Sequence, residues 1–458
     1  MESRFLRIAA VAAPVTVFLI VYLANAGHGF LLDDFDWVLN SRVRQLSDIP
    51  HALGGWSGFF RPVVGATFTV DEWIFGARPF GYALTNILLA LACAWAVAFL
   101  ARGFSLSRGA AALAGLVWLM NLYFTRTAIM WISGRTALVV TLFGVLSAGW
   151  LMRGRLVAAI ACLLLALLAK EEAVLLPVIL LGWLAIARST TGRSPIPIGR
   201  WCILASGALA LYLAVRALTP AMMPATAPDY YRFTFAPAAI GRNLAEYADR
   251  TSTLAVVVMV LAMALLGWRR RLFDQNSRLA VLCGLVWLIG ALGLACILPV
   301  RSDLYAAVPG AGICLVAAAV VDRLWDASTT VRRRRALVAA IALPILLSPA
   351  YWLRTQRLSR QAEFSATALV DLDALTRHLP GDAHVRIDDV VQQPGKRLPN
   401  MAGAFGAQLG AAYELQTGRR LDLALEWEIA PEDRASDAAK PGPHLRLAVI
   451  DGRLQSVR

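Results

Sequence analysis

The sequence predicts an all-α polytopic membrane protein with a small α+β domain at its C-terminus. Two observations predict this fold class. The chain of 458 residues is 58% hydrophobic and 16% charged, with a mean hydropathy of +0.61, whereas soluble domains carry about 25% charged residues. Long apolar runs also fill most of residues 1–354 and become shorter in residues 355–458. We therefore expect a transmembrane domain followed by a soluble one.

Eleven apolar segments are candidates for membrane spans, because a helix needs about 20 apolar residues to cross a hydrocarbon core of about 30 Å. They are centred near residues 17, 92, 115, 144, 163, 180, 210, 260, 289, 313 and 344. The first segment has no clear small-x-small cleavage site and is followed by many further spans. We interpret it as a retained helix rather than a signal peptide.

Arginine clusters between the spans predict the side on which each loop lies. If the N-terminus is cytoplasmic, five basic loops share its side, as the positive-inside rule requires. Their arginines are Arg102, Arg108, Arg153, Arg155, Arg188, Arg193, Arg200, Arg269, Arg270, Arg271, Arg323, Arg332, Arg333, Arg334 and Arg335. The opposite face then carries the C-terminus and the loops 27–80, 123–135, 219–250 and 299–303.

The net charge of +14 follows from this topology, so nucleic acid is not expected as a partner. Of the 44 basic residues, 41 are arginine, and alanine is frequent, as in GC-rich bacterial genomes. We expect a multi-pass protein of the bacterial inner membrane, with its N-terminus in the cytoplasm and its C-terminus in the periplasm. The six cysteines contain no CxxC pair and predict neither a disulfide framework nor a zinc site.

An acidic cluster directly follows the first span, in the segment LLDDFDWVLN. Asp33, Asp34 and Asp36 lie a few residues beyond the predicted membrane boundary, on the outer face. A charge at the centre of a bilayer costs about 2.5 to 3.5 kcal/mol, and an acidic cluster at its surface still needs water or partners. Chemistry at the membrane surface is the leading explanation for this cluster.

Arginines and carboxylates recur in the next two outer segments. Arg61 and Pro62 precede an amphipathic stretch, 63–78, in which Asp71 and Glu72 are expected to form a solvated face. The loop TRTAIMWISGRTAL places Arg126 and Arg135 on the outer face. Interfacial anchoring is the ordinary role of such arginines, and substrate binding is the alternative for the second of them.

Two further polar groups fall on the outer face. Lys170, Glu171 and Glu172 interrupt two apolar segments almost without a loop, so they must pair with one another or with neighbouring helices. Arg301, with Asp303 and Tyr305 after it, lies at the outer end of a helix, where a guanidinium suits a phosphate. For the tyrosines 230 and 231 and the arginine 232 of APDYYRFTFAP, membrane anchoring and sugar stacking both stay open.

Short elements are predicted in the soluble C-terminal domain. Residues 357–378 and 399–416 have helical patterns, and residues 384–390 and 421–429 have strand patterns. The closing segment LRLAVIDGRLQSV predicts a hairpin with a DG turn. We expect this domain to bind an acceptor or to pack over the site.

The order of these motifs resembles that of the GT-C glycosyltransferases. The resemblance points to the branch of the protein O-mannosyltransferases and of the transmembrane O-mannosyltransferases with tetratricopeptide repeats. It covers about residues 1–320 and rests on five elements. They are the Asp33-Asp34 pair, Arg61-Pro62 followed by Phe80, Gly81, Tyr82 and Asn86, then Gly134-Arg135, then Lys170-Glu171 with Pro177, and finally Arg301 with Tyr305 and Pro309.

Two departures limit what the resemblance implies. Ala83 and Ala90 stand where that branch often has histidines, and no tetratricopeptide repeats follow the membrane part. The type of acceptor, protein or glycan, therefore stays open. No cofactor is implied with certainty. With five histidines in the chain a His-rich metal site is not supported, and a divalent cation held by carboxylates remains an open alternative.

The resemblance implies an inverting transfer of a sugar from a polyprenyl-phosphate donor in the bilayer to a hydroxyl acceptor at the periplasmic face. It places the general base on Asp33, with Asp34 as second choice. Cations stabilise the leaving phosphate, and the donor phosphate site is expected to contain Arg301, Arg135, Lys170 and Tyr305. The expected substrate-binding residues are Arg61, Glu171, Asp36 and Asn86.

Two other classes of membrane protein compete with this interpretation. A flippase or transporter of lipid-linked sugars commonly shows internal repeats with broken helices, and no such symmetry is visible in the sequence. A polysaccharide ligase or polymerase tends to centre its chemistry on a large late loop, whereas the acidic cluster here lies in the first loop. The sugar, the acceptor and the oligomeric state are not predicted.

Overall fold

The computed structural model describes most of the chain, and the following statements concern those residues alone. They are residues 2–55, 58–219, 221, 232–267, 274–389, 398–433, 436, 437 and 439–457. The arginines 269–271 and the tyrosines 230 and 231 of the sequence analysis lie outside them.

Helices dominate the described chain up to residue 376. The first group surrounds the acidic cluster and comprises α1 (Glu2–Leu23), α2 (Asp34–Asn40), α3 (Pro62–Phe75), α4 (Pro79–Gly103), α5 (Arg108–Leu119), α6 (Phe124–Met130) and α7 (Arg135–Met152). The second group comprises α8 (Leu156–Leu167), α9 (Leu176–Thr191), α10 (Ile198–Ala217), α11 (Pro237–Leu266), α12 (Gln275–Cys296), α13 (Ala307–Asp326) and α14 (Thr330–Thr376).

A helix is found at each of the eleven positions predicted for a membrane span. Within the described residues, nine of these helices are long and apolar enough to cross a membrane, and α5 with α6 forms a tenth candidate that is bent by 59°. The twelve residues of α8 cover only about 18 Å at 1.5 Å per residue, which is less than a membrane core. By length and composition the described helices thus give nine or ten candidate spans, close to the predicted number of about eleven.

The centre of the membrane domain is α13, which packs against α5, α7, α11 and α12. Glycines allow the contact with α12, because a Cβ on Gly284 would lie 2.7 Å from the carbonyl oxygen of Gly312. Small residues bring helix backbones together in this way within membranes. The indole nitrogens of Trp118 and Trp287 donate to the carbonyls of Ala307 and Val308 at 2.9 and 2.7 Å, which satisfies two polar groups in an apolar core.

The C-terminal domain is a four-stranded sheet with short helices, as predicted. Its elements are β1 (His384–Asp388), α15 (Met401–Phe405), α16 (Leu409–Thr417), β2 (Asp422–Leu425), β3 (His444–Ile450) and β4 (Arg453–Ser456). The strand order is β2-β1-β3-β4, with β1 parallel to both of its neighbours. The antiparallel hairpin of β3 and β4 turns at Asp451 and Gly452, which both have positive φ, so the predicted DG turn is confirmed.

One helix joins the two parts of the chain. The last predicted span, near residue 344, and the helix predicted over 357–378 are both parts of α14, whose 47 residues extend about 70 Å. The predicted boundary near residue 355 falls inside this helix. Packing explains the continuity, because α1 lies along the first part of α14 and the sheet lies against its last part.

We expect Gly312→Ala to destabilise the membrane domain by about 1–3 kcal/mol, the usual cost of overpacking. A Cβ at this position would overlap the carbonyl oxygen of Gly284 and lie 2.9 Å from the backbone nitrogen of Leu288. The matched control is Gly207→Ala, because a Cβ on Gly207 in α10 meets no atom within 4 Å. Thermal unfolding in detergent checks this, and equal Tm values for the two variants would contradict it.

Candidate functional site

Asp33 directly precedes α2, and only one of its two carboxylate oxygens accepts hydrogen bonds from the described residues. Its Oδ1 accepts hydrogen bonds from the indole Nε1 of Trp131 at 2.8 Å and from the hydroxyl of Ser133 at 2.7 Å. The second oxygen, Oδ2, accepts no hydrogen bond from the described part of the chain, and the residue is only partly buried. This leaves one oriented carboxylate oxygen for another molecule.

Asp34 has the opposite environment, because it is completely buried and bonded to the backbone. Its Oδ2 accepts from the amides of Leu31 at 2.9 Å and Ile132 at 3.4 Å, and its Oδ1 accepts from the amide of Ser133 at 2.6 Å. The carboxylate thus joins the loop after α1 to the turn between α6 and α7. Asp34 positions Asp33 and has no exposed surface for a substrate.

Burial raises the pKa of all three carboxyl groups in the acidic cluster. The pKa of Asp34 rises to about 8 through burial and the neighbouring Asp33, and that of Asp36 rises to about 6 for the same two reasons. For Asp33 burial also raises the pKa, but Ser133, Trp131 and the positive charge of Arg61 act against it.

The C-terminal domain packs directly on the acidic cluster. The amide of Leu32 donates to the carbonyl of Ala404 at 2.8 Å, and the rings of Phe35 and Phe405 stack at 5.6 Å. Leu32 itself has a positive φ of 52°, a conformation that costs a non-glycine residue free energy and persists only where surrounding contacts impose it. The C-terminal domain is thus part of the frame that holds the cluster.

Arg135 is fully enclosed by the protein, whereas a residue that binds a phosphate must be accessible to it. Its guanidinium donates to Asp71 at 2.5 Å, to the side chain of Asn86 at 2.7 Å and to the carbonyl of Tyr82 at 3.0 Å, and it stacks on Phe68. No part of the side chain is exposed, so it cannot touch a ligand in this conformation. These bonds join the start of α7 to α3 and α4.

Two residues that bond to Arg135 are also more buried than the sequence analysis predicts. Asp71 is 3% exposed, so the prediction of a solvated face for it is wrong, and its partner Arg135 explains the burial. Asn86 is fully buried, and its amide donates to the carbonyls of Ala128 and Ile132, both at 2.9 Å. It shapes the turn that carries Trp131 and Ser133, and it has no free face for a substrate.

Glu171 is the centre of an ion cluster at the start of α3. Arg61, the residue before α3, donates to it from two nitrogens, with a closest distance of 2.8 Å, and Arg216 donates to it at 3.2 Å. Because Arg61 also acts on the pKa of Asp33, this cluster lies within electrostatic range of the acidic residues. The predicted residues Arg61 and Glu171 thus come together.

Lys170 and Tyr305 also meet, as predicted for one phosphate site. The ammonium of Lys170 lies 4.5 Å from the centre of the Tyr305 ring and 3.3 Å from a carboxylate oxygen of Glu172. The side chain of Lys170 is only 7% exposed. A lysine in so dry a place interacts strongly with any anion that reaches it.

Asp303 connects this region to the acidic cluster through α6. Arg126 and Thr127 of α6 donate to it, both at 3.0 Å, and Arg250 of α11 lies 3.3 Å away. Thr127 lies in α6, and Trp131, which bonds Asp33, directly follows the last residue of this helix. Asp303 and Asp33 are therefore bonded to side chains that lie four residues apart in the chain.

Arg301 occupies the rim of the site. Its side chain is 35% exposed and forms an ion pair with Glu246 of α11, which also accepts from Arg250 at 2.9 Å. It is the most accessible of the cations predicted to bind phosphate.

The cations outnumber the carboxylates in this half of the site. We call the following residues the cationic cluster: Arg61, Arg126, Lys170, Arg216, Arg250 and Arg301. Six positive charges face four negative ones, which belong to Glu171, Glu172, Glu246 and Asp303.

Four buried polar atoms in this region have no hydrogen-bond partner in the described chain. They are Arg126 Nε, Arg250 Nη1, Glu172 Oε1 and Tyr247 Oη. Buried polar groups are almost always hydrogen-bonded, so several such atoms in one region indicate a place for water or a ligand. Three of the four atoms are donors, which favours an anion.

Sequence reasoning missed Trp131, Ser133, Tyr247 and Arg250 as site residues. A signal existed in α11, where the first half carries the polar face of Glu246, Tyr247 and Arg250 and the second half is apolar. No comparable signal marked Trp131 and Ser133. Among the described residues, no group of three or more His, Cys, Asp or Glu side chains is arranged to hold a metal ion.

No family model and no curated protein matches this chain. A solved structure does match, namely that of ArnT from Cupriavidus metallidurans bound to undecaprenyl phosphate. The match has a TM-score of 0.52 and 14% sequence identity, and it covers 96% of this chain and 93% of that chain. The likeness concerns the fold and confirms the predicted GT-C-like architecture, a helical membrane domain with a small C-terminal sheet domain. It does not single out the O-mannosyltransferase branch.

We expect Asp34→Ala to lower stability by roughly 3 kcal/mol or more, because three backbone amides lose a buried acceptor and each such loss costs about 1–3 kcal/mol. The matched control is Asp36→Ala, since the Asp36 side chain accepts no hydrogen bond from described residues. Thermal unfolding of the purified variants provides the measurement. If the Asp34 variant unfolds at the same temperature as the control, Asp34 does not hold the two loops together.

Proposed function

We propose that this protein is an inverting membrane glycosyltransferase that moves a sugar from a polyprenyl-phosphate donor to a hydroxyl acceptor. The observation that carries the proposal is the arrangement of Asp33, which presents an unbonded carboxylate oxygen beside a cationic cluster in a GT-C-like fold. This transfer needs a base for the acceptor hydroxyl and, on the opposite side of the reacting sugar carbon, a region that binds the phosphate. The ArnT structure with undecaprenyl phosphate supports a lipid-linked donor of the same kind.

The donor phosphate is assigned to the cationic cluster around Lys170. Lys170 and Tyr305 lie together there, and Arg250 and Tyr247 direct unsatisfied donors into the same region. As the bond between C1 of the sugar and the phosphate oxygen breaks, the phosphate takes the electron pair and its negative charge grows. Preorganised cations in a low-dielectric site stabilise such charge much more than water does.

The acceptor hydroxyl is assigned to the free oxygen of Asp33. Asp33 Oδ2 takes the proton of the hydroxyl while the hydroxyl oxygen attacks C1, which inverts the anomeric centre. Trp131 and Ser133 fix the direction of the carboxylate through Oδ1. Asp36 and Arg61, which both interact electrostatically with Asp33, are proposed to contact the substrate.

The other predicted site residues take indirect roles in this proposal. Asp34, Asn86 and Arg135 are buried positioning residues, and Glu171 orients Arg61 and Arg216. Arg301 at the rim is proposed to attract the donor or to contact its phosphate from the solvent side.

We propose that the site faces the periplasm in a bacterial inner membrane. The arginine distribution in the sequence supports a cytoplasmic N-terminus. A reporter enzyme that is active only in the periplasm, fused after residue 457, tests the proposed orientation. An inactive fusion would reverse it.

We expect Asp33→Asn to reduce the transfer rate by about 10² to 10⁴-fold, the usual contribution of a general base. Asp36→Asn, in the same cluster, is the matched control and should lose less. The assay follows radiolabelled sugar from a panel of polyprenyl-phosphate donors to cell-envelope acceptors, with the purified protein in lipid. Equal rates for wild type and Asp33→Asn would remove Asp33 from catalysis. Lipid translocation without transfer, equal in both proteins, would favour a flippase.

We expect kcat/KM to decrease as the pH is lowered, with a midpoint above the ordinary carboxyl pKa of 3.8. Burial raises the pKa of Asp33, and only the ionised carboxylate accepts a proton. Trp131→Phe removes a hydrogen bond that stabilises the carboxylate, so it should move this acid limb to higher pH. Trp73→Phe is the control, since Trp73 is 84% exposed on α3. An unchanged limb in Trp131→Phe would show that Asp33 does not set the pH dependence.

A further inference from the structure

A cavity lies away from the acidic cluster, near the end of the membrane domain that carries the N-terminus. It has a volume of about 730 Å³ and lies between α1, α5, α11, α13 and α14. Most of its wall is aliphatic, with Leu113, Leu116, Val258, Leu261 and Leu343 as examples. The volume falls within the range of about 300–1,000 Å³ found for small-molecule sites.

Charged residues of both signs line the same cavity. Arg7 of α1 and Arg108 of α5 make no ion pair or side-chain hydrogen bond with the described residues, although both line the wall. Asp322 and Asp326 of α13 also line it. An apolar chamber with charges of both signs differs from a plain contact surface for hydrocarbon tails.

Asp322 is the group that most needs a partner. It is 8% exposed, and its Oδ2 accepts from the amide of Ser107 at 3.0 Å. Its other oxygen, Oδ1, is buried and has no partner in the described chain. A buried carboxylate oxygen without a donor is costly, so a donor from outside the chain would be bound well there.

We propose that this cavity binds a zwitterionic phospholipid whose head group carries a phosphate and an ammonium. The phosphate pairs with Arg7 and Arg108, the ammonium donates to Asp322 and Asp326, and the acyl chains fill the aliphatic part. Both charges of the head group are then matched, which is the charge complementarity that selects this lipid. The proposal does not depend on the proposed transferase activity.

Two other lipids of a bacterial membrane fit the cavity less well. An anionic phospholipid without an amine satisfies the arginines but brings no ammonium to Asp322. A polyprenyl phosphate without a sugar likewise brings no cationic donor to Asp322. The selectivity between lipids therefore depends on the two aspartates.

The test measures lipid binding to the delipidated full-length protein by native mass spectrometry. Phosphatidylethanolamine, phosphatidylglycerol and undecaprenyl phosphate are added in equal amounts. The wild type should retain phosphatidylethanolamine in preference to the other two. In Asp322→Asn this preference over phosphatidylglycerol should fall at least about tenfold, as expected for the loss of a charge-assisted hydrogen bond.

Further variants separate the head-group contacts from the cavity itself. The double variant Arg7→Gln with Arg108→Gln should bind less of both phospholipids, whereas Arg4→Gln, a neighbouring arginine that does not line the cavity, should behave as wild type. Ala340→Trp fills the cavity from α14 and should exclude phosphatidylethanolamine. Its control is Val338→Trp on the same helix, because Val338 is 50% exposed and lies outside the wall.

Two results would overturn the proposal. One is an unchanged lipid preference in Asp322→Asn. The other is equal binding of phosphatidylethanolamine by Ala340→Trp and Val338→Trp, which would place the lipid elsewhere on the protein. Because Ala340→Trp leaves the hydrogen bond between Asp322 and Ser107 intact, it keeps the test decisive even if the Asp322 variant does not fold.

Discussion

The candidate site depends on one buried carboxylate. Asp34 accepts hydrogen bonds from three backbone amides and thereby joins the loop after the first helix to the turn before α7, two segments about a hundred residues apart in sequence. The two side chains that bond Asp33, Trp131 and Ser133, lie on the second of these segments. Burial of one aspartate thus leaves its neighbour oriented and accessible, and adjacent carboxylates acquire different roles through their environments.

Further contacts hold the same two segments. Asn86, itself bonded by Arg135, donates to the segment that contains the turn, and the C-terminal domain contacts the first loop through Ala404 and Phe405. Thr127 then links this frame to Asp303 and so to the cationic cluster. This contact between the C-terminal domain and the acidic loop shows how residues after α14 help to hold the candidate site.

Local sequence patterns predicted the helices and the closing hairpin, because apolar periodicity and the Asp451-Gly452 turn are properties of short segments. Residues of the five motifs also lie near one another, as Asp33 with Ser133, Arg61 with Glu171, and Lys170 with Tyr305 show. The sequence did not predict which charges pair across long separations. Arg135 is buried because Asp71, 64 residues earlier in the chain, neutralises it, and Tyr247 and Arg250 reach the site only because α11 packs against α13. Such partners depend on tertiary packing, which short-range patterns do not contain.

The structure of the protein with a bound polyprenyl phosphate is the most direct test of this account. The account predicts the phosphate among the cationic cluster, within hydrogen-bond distance of Lys170 and facing the free oxygen of Asp33. A phosphate bound instead at Arg7 and Arg108, at the far end of the membrane domain, would contradict it, because the acidic cluster would then have no donor to act on.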